Sequence, residues 1–217
     1  VMGGDVEIEF AIRLDRQHGL PAQIGFLQVR PMRVMTEEVE VAESLLEDGR
    51  TVIASTHVLG NGVREDIRDI VFLDPDLFDQ DKTFEIAAEL EGLNRELVEE
   101  GRPYILIGFG RWGTSDVRLG IPVTWGQISG AKVIVEATLP EVNTDLSQGS
   151  HFFHNVLGFR ILYLSVEHDG RWPIDWSWLR SCPRVGGSGR VVHVRTEKPV
   201  QVRVDGRNGR GVIFHGD

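Results

Sequence analysis

The most diagnostic stretch of this sequence is Tyr104-Ile105-Leu106-Ile107-Gly108-Phe109-Gly110-Arg111-Trp112-Gly113, an apolar strand followed by the pattern GxGxxG. In a doubly wound dinucleotide-binding domain this pattern opens a helix, and the N-terminus of that helix meets the pyrophosphate. Here the following residues, Asp116 to Pro122, contain Gly120 and Pro122 and have no helical period. The sequence therefore argues against a dinucleotide-binding fold.

Strand signals predominate around this stretch. Runs rich in β-branched and aromatic residues predict strands at 51–55, 70–73, 104–107, 132–137, 159–166, 191–195, 200–204 and 211–214. Helical spacing predicts a long helix from Lys82 to Glu100 and a second helix from His151 to Leu157. The apolar face predicted for the long helix consists of Phe84, Ala87, Ala88, Leu90, Leu93, Leu97 and Val98. We therefore predict an α+β domain with a mixed or antiparallel sheet over residues 49–217.

Composition narrows the possible functions of the 217 residues. The chain has 23 Lys and Arg against 33 Asp and Glu, a net charge of −10, which disfavours binding to nucleic acid or to anionic lipid. No apolar run approaches the roughly 20 residues that cross a bilayer, and no signal-peptide pattern is visible at the start. The single cysteine, Cys182, cannot form an internal disulfide. We expect a cytoplasmic protein with no membrane and no nucleic-acid partner.

The pattern of the N-terminal region predicts a structural unit separate from the α+β domain. Val6 to Ile12 and Ile24 to Arg30 alternate in strand fashion around a turn-rich stretch, and Pro31 stops the second run. Two strands alone bury too little surface to be stable, so this hairpin needs another layer to pack on. An acidic stretch from Thr36 to Asp48 has helical spacing and predicts a connector helix. The predicted divisions are a hairpin at 1–36, a connector helix at 37–48 and the α+β domain at 49–217.

Four polar residues of the hairpin form the strongest chemical signal. Glu7 and Glu9 lie two apart on one strand, and Gln28 and Arg30 lie two apart on the next, so each pair shares one face of its strand. Paired carboxylates can bind Mg²⁺ on a polyphosphate, and an arginine can neutralise phosphate oxygens that the metal does not reach. The alternative is a solvent-facing side of an edge hairpin.

The motifs Glu7-Ile8-Glu9-Phe10 and Phe26-Leu27-Gln28-Val29-Arg30-Pro31 resemble the closing hairpin of the ATP-grasp domain in phosphoenolpyruvate synthases and pyruvate phosphate dikinases. The resemblance covers about Asp5 to Pro31. It implies that Glu7 and Glu9 are Mg²⁺ ligands, that Gln28 contacts metal or phosphate, and that Arg30 acts catalytically on the phosphates of ATP.

The same resemblance implies a C-terminal part of a larger ATP-dependent phosphotransferase, whose upstream ATP-grasp domain is the partner of this hairpin. The phosphohistidine loop of that family is not matched here, since His57 lies in the different setting Ser55-Thr56-His57-Val58-Leu59. The family's cysteine-containing phosphoenolpyruvate barrel is also not matched. We therefore expect this chain to be catalytically inactive alone.

Residues 49–217 resemble the C-terminal region of large bacterial proteins that contain a phosphoenolpyruvate synthase-like ATP-binding domain. The matching pieces are Leu59-Gly60-Asn61-Gly62, Gly108-Phe109-Gly110-Arg111-Trp112-Gly113-Thr114, Leu119-Gly120-Ile121-Pro122-Val123 and Gln148-Gly149-Ser150-His151-Phe152-Phe153. This resemblance implies no chemistry.

Two other functions remain open for the α+β domain. In the first, amides beside Gly110 and Gly113 together with Arg111 cradle an anionic metabolite, Trp112 serves as a stacking platform, and 148–155 contributes to a regulatory site. His151 and His154, three apart in that segment, could also begin a zinc site. In the second, the domain is architectural and forms a homodimer through exposed edges of its late strands.

Overall fold

The computed structural model describes residues 6–13, 23–31, 38–140 and 158–216, which belong to two units, Val1–Thr36 and Glu37–Asp217. In the first unit, β1 (Val6–Arg13) pairs antiparallel with β2 (Gln23–Pro31). The alternating patterns of the sequence predicted this pairing, and the structure confirms it.

The second unit contains one large mixed sheet and few helices. The strands are β3 (Thr51–Ser55), β4 (His57–Leu59), β5 (Gly62–Leu73), β6 (Tyr104–Phe109), β7 (Arg111–Trp112), β8 (Gly120–Ile121), β9 (Ala131–Ala137), β10 (Leu162–Val166), β11 (Arg184–Gly186), β12 (Val191–Asp205) and β13 (Arg210–Phe214). Among the described residues, the longer α-helical segments are α1 (Thr83–Glu99) and α2 (Trp176–Ser181), and short 3₁₀ turns cover Glu43–Glu47, Gln80–Lys82, Val117–Leu119 and Trp125–Ile128. The predicted α+β class with a mixed sheet is confirmed.

The large sheet closes on itself. Its strand order is β3-β13-β12-β5-β6-β9-β10-β4, with β11 added beside β12. Its two ends, β3 and β4, are consecutive in the chain and are separated by Thr56 alone. The Ser55 hydroxyl at the end of β3 also donates to the Ser165 carbonyl of β10 at 2.5 Å. The sheet therefore curls into a barrel in which one bent segment serves as both ends.

The interior of the barrel is apolar. Pairing across β5, β6, β9 and β10 aligns Phe72, Ile107, Val135 and Leu164 in one row, and all four are buried. The ring of Trp176 from α2 packs on Phe72 at 6.1 Å and on Phe109 at 5.6 Å between centroids.

Helix α1 packs on the sheet through an amide as well as through apolar side chains. Asn94 donates to the Gly126 carbonyl at 3.1 Å and accepts from the Gly130 amide at 2.8 Å and the Tyr104 hydroxyl at 3.0 Å. The predicted helix is confirmed, but its predicted apolar face is partly wrong. Phe84 and Val98 are 67% and 49% exposed, whereas the buried positions are Thr83, Ile86, Ala87, Leu90, Asn94 and Leu97.

The predicted connector helix at 37–48 is wrong. Residues 38–42 belong to no helix or strand, Ala42 has an extended backbone, and a 3₁₀ turn follows from Glu43 to Glu47. Val41 is buried against Ala54, Val212 and Phe214, and its amide contacts Asp205 Oδ2 at 3.4 Å. Burial of Val41 against β3 and β13 therefore outweighs the helical spacing of the acidic residues.

The late strands have neighbours on both sides. β13 lies between β3 and β12, and β12 lies between β13 and β5. The prediction that these strands have exposed edges is therefore wrong, and the homodimer itself stays a prediction. The predicted helix from His151 to Leu157 and the segment 148–155 lie outside the described residues.

Candidate functional site

The backbone register of the hairpin brings the four predicted site positions together. Glu7 pairs with Arg30, and Glu9 pairs with Gln28. Directly opposed residues of an antiparallel pair share a face, as do residues two apart on a strand. All four positions therefore lie on one face of the ribbon, and the side chains of Glu9 and Gln28 are exposed.

A bulge at Leu27 places the apolar residues of both strands together on the opposite face of the ribbon. The register steps from Glu9–Gln28 to Phe10–Phe26, so Leu27 is an extra residue in β2. Strict alternation along β2 would place Phe26 and Ile24 on the same face as Gln28. With the bulge, they instead face the other side and join an apolar set, Ile8, Phe10, Ile12, Ile24, Phe26 and Val29, whose exposed fractions run from 45% to 72%.

The hairpin is therefore a ribbon with one polar and one apolar face. Residues two apart on a strand are about 6.6 Å apart, a spacing that allows two carboxylates to bind one divalent ion or two oxygens of one polyphosphate. The Arg30 position faces Glu7 across the ribbon, where a guanidinium can neutralise a phosphate bound by that ion. Carboxylate oxygen is the donor type that Mg²⁺ prefers, so this set of residues fits the ion.

The glycine-rich loop after β6 uses its amides internally. Gly110 donates to the Ala137 carbonyl at 3.0 Å, and Gly113 donates to the Ile121 carbonyl at 2.9 Å. Trp112 is 1% exposed and contributes to the core. This geometry does not favour an anion cradle built from the two glycine amides, nor a stacking platform at Trp112.

The glycines of this region permit close packing. A Cβ on Gly108 would lie 2.4 Å from the Trp112 ring, and a Cβ on Gly110 would lie 2.6 Å from the Leu119 carbonyl. Gly110 also has a φ of 69°, which favours glycine. Arg111 itself pairs through its backbone with Gly120 in the two-stranded element β7–β8. The GxGxxG pattern thus reflects the packing of β6, β7 and β8.

A buried charge cluster around Asp69 was not predicted from the sequence. The Asp69 carboxylate accepts from Arg102, whose Nε lies 3.0 Å from Oδ2, and from His193 Nε2 at 2.9 Å. Arg195 Nη1 lies 3.7 Å from the same carboxylate. Burial by itself would raise the pKa of Asp69, but the bonds from His193 and Arg102 outweigh burial and lower this pKa. The partners are 33 and 124 residues away in sequence, so no local pattern indicates the cluster.

Neither the cysteine nor the His, Asp and Glu side chains of the described residues indicate a further reactive or metal site. Cys182 is half-buried, and burial raises the pKa of its thiol, which disfavours a reactive thiolate. Within 6–13, 23–31, 38–140 and 158–216, no group of three or more His, Cys, Asp or Glu side chains has a metal-binding arrangement. No helix among the described residues combines the length and apolar character needed to span a bilayer.

Comparisons of the chain with protein-family models, with curated proteins and with solved structures find no match.

Proposed function

We propose that residues 1–36 form the closing hairpin of an ATP-grasp-type Mg-ATP site, and that this site belongs to an ATP-dependent phosphotransferase. In this proposal, an upstream nucleotide-binding domain of the same protein completes the site. The protein is cytoplasmic in this proposal. The observation that supports this proposal is the register that pairs position 7 with 30 and position 9 with 28. It gathers two acids, one amide and one guanidinium on one face of the ribbon.

In this proposal, Glu7 and Glu9 hold Mg²⁺ against the phosphates, while Gln28 and Arg30 contact phosphate oxygens. Mg-ATP supplies the phosphoryl group that is transferred. Arg30 neutralises charge on that group, an effect worth about 100-fold to 1,000-fold in rate for a single well-placed donor. The apolar face of the ribbon, opposite these four positions, contacts the core of the upstream domain.

The test measures ATP turnover and its Mg²⁺ dependence in the protein that contains the upstream domain. Glu9→Gln keeps the size of the side chain and removes its charge, so we expect a large loss of turnover and a higher Mg²⁺ requirement. Glu40→Gln removes the charge of an exposed glutamate outside the hairpin and serves as the matched control. Full turnover by Glu9→Gln with an unchanged Mg²⁺ requirement would overturn the proposal.

A further inference from the structure

The segment that opens the second unit is attached to the barrel through side chains. We call residues 38–47 the strap. Residues 38–42 belong to no helix or strand, and a 3₁₀ turn covers the remainder. Within the part of the chain that the structure describes, no backbone-to-backbone hydrogen bond joins the strap to a barrel strand, whereas each barrel strand is joined to its neighbours by such bonds. A segment held in this way opens at a lower free energy than a strand of the sheet.

One residue of the strap, Val41, is held by the barrel at both of its backbone groups. Asp205 and Arg210 are partners in the register of β12 and β13. Asp205 Oδ2 accepts from the Val41 amide, and Arg210 Nη1 donates to the Val41 carbonyl, both at 3.4 Å. Arg210 Nη2 also lies 3.6 Å from the Glu43 carboxylate. These contacts fix the position of the strap, but their lengths are those of weak hydrogen bonds.

The strap shares with the barrel a small apolar core that is separate from the barrel interior. Its buried members are Val41 and Leu46 from the strap and Ala54, Val212 and Phe214 from β3 and β13. Ile53 and Ile213, which neighbour these strand residues in sequence, belong to the large core inside the barrel. Because side chains alternate between the two faces of a strand, the strap covers the outer face of β3 and β13. Removing the strap therefore leaves the barrel interior packed.

An unsatisfied hydrogen-bond donor lies against this small core. Trp172 packs on the core, and its indole Nε1 is shielded from solvent without a hydrogen bond to any described residue. A buried donor without an acceptor destabilises the closed arrangement. The guanidinium of Arg171 lies over the Trp172 ring at 5.0 Å and pairs with Glu47 of the strap, and an ion pair between exposed side chains adds little stability.

From these contacts we propose that the strap is a detachable linker, which leaves the barrel as one unit while the barrel stays closed. The strap begins two residues after the boundary between the two units of the chain, Val1–Thr36 and Glu37–Asp217. Its release adds ten residues of free chain between these units, a reach of up to roughly 35 Å. The attached and released strap thus give the hairpin a short and a long connection to the barrel.

Native-state hydrogen exchange of this chain at low urea concentrations tests the proposal. The amides of Val41 and Leu45 report on the strap, and the amide of Val135 in the central strand β9 reports on the barrel. We expect the two strap amides to share one protection factor, at least about tenfold below that of Val135, with a weaker urea dependence because less surface is exposed. Equal protection and equal urea dependence at all three amides would overturn the proposal.

Two variants distinguish opening of the strap from unfolding of the barrel. Ile107→Val weakens the barrel interior alone and should speed exchange at Val135 about 2-fold to 10-fold, with no change at Val41 or Leu45. Val41→Ala weakens the strap and should speed exchange at Leu45 about tenfold or more. Faster exchange at Leu45 in Ile107→Val, or unchanged exchange at Leu45 in Val41→Ala, contradicts the proposal. The experiment uses neither ATP nor Mg²⁺, so its outcome is independent of the phosphotransfer proposal.

Discussion

Asp69 illustrates how a single carboxylate can depend on partners from distant parts of the chain. Its side chain is 3% exposed, and a buried carboxylate is costly unless cations and donors compensate it. Arg102 and His193 supply that compensation by direct hydrogen bonds, and Arg195 adds positive charge close by. Removing the carboxylate leaves these groups facing one another without their common partner.

We therefore expect Asp69→Asn to lower the free energy of unfolding at pH 7 by about 3 kcal/mol, measured by urea denaturation. The pH dependence gives a second measurement. Because the pKa of Asp69 is lowered in the folded state, its contribution is present in full above the unfolded value of about 4 and is lost as pH falls through the folded pKa. Acidification should cost the variant less stability than it costs the original chain. Asp169→Asn, an exposed control, should behave like the original at both pH values.

Glycines at two positions should respond in opposite directions to the same substitution. Gly108→Ala places a methyl group 2.4 Å from the buried Trp112 ring and should destabilise the protein by about 1 to 3 kcal/mol. Gly92→Ala lies in α1 with nothing within 4 Å of the new methyl group, and should stabilise by about 1 kcal/mol through helix propensity. Chemical denaturation of both variants tests this contrast. Equal effects would show that the contact with Trp112 is unimportant.

The side-chain amide of Asn94 positions α1 on the sheet. Asn94→Ala leaves the Tyr104 hydroxyl and the Gly130 amide without their partner in a buried place. We expect a loss of about 2 to 3 kcal/mol and faster hydrogen exchange at the Gly130 amide. Glu96→Ala on the exposed face of the same helix should change neither quantity measurably. Wild-type exchange at Gly130 in Asn94→Ala would contradict the assigned role.

The sequence predicted many elements because their patterns are local. Alternation in the hairpin, the long period of α1 and the β-branched runs of the barrel all depend on near neighbours. Long-range contacts caused the failures. Val41 packs on β3, which follows it closely, and on β13, which lies far away in sequence. The helical spacing around Val41 gives no indication of the contact with β13. Residues 191–195 and 200–204 were predicted as two strands, but the single strand Val191–Asp205 passes through Lys198 and Pro199, with an irregular register between Arg195 and Val200.

Part of the candidate site in the hairpin could be predicted from the sequence for the same reason. Alternation along a strand predicts that Glu7 and Glu9 share a face of the first strand and that Gln28 and Arg30 share a face of the second. Whether these two pairs lie on the same face of the hairpin depends on the register between the strands. The bulge at Leu27 was missed, although the sequence contains a signal for it. Gln28 and Phe26 are two residues apart in β2, so in a regular strand both would lie on the same face. A polar and a large apolar side chain favour opposite faces of an amphipathic ribbon. Recognising that conflict would have predicted a register shift between them.

For the molecule as a whole, the division into two units has a direct consequence. The large sheet and the helices α1 and α2 lie within residues 37–217. A shortened chain of residues 37–217 should therefore fold cooperatively, with a melting temperature within about 2 °C of the original in calorimetry. Loss of cooperative unfolding in the shortened chain would show that the hairpin contributes to the folding of the second unit.

Closure of the barrel also affects the order in which the protein can assemble during synthesis. The first barrel strand to leave the ribosome, β3, pairs with β13, the last strand described. Until that late segment emerges, the backbone groups of β3 on this side have no partner, and contacts of such large sequence separation form slowly. The nascent chain must keep the apolar strand β3 unpaired on this side until β13 has been synthesised, and an unpaired apolar strand edge promotes aggregation during that interval.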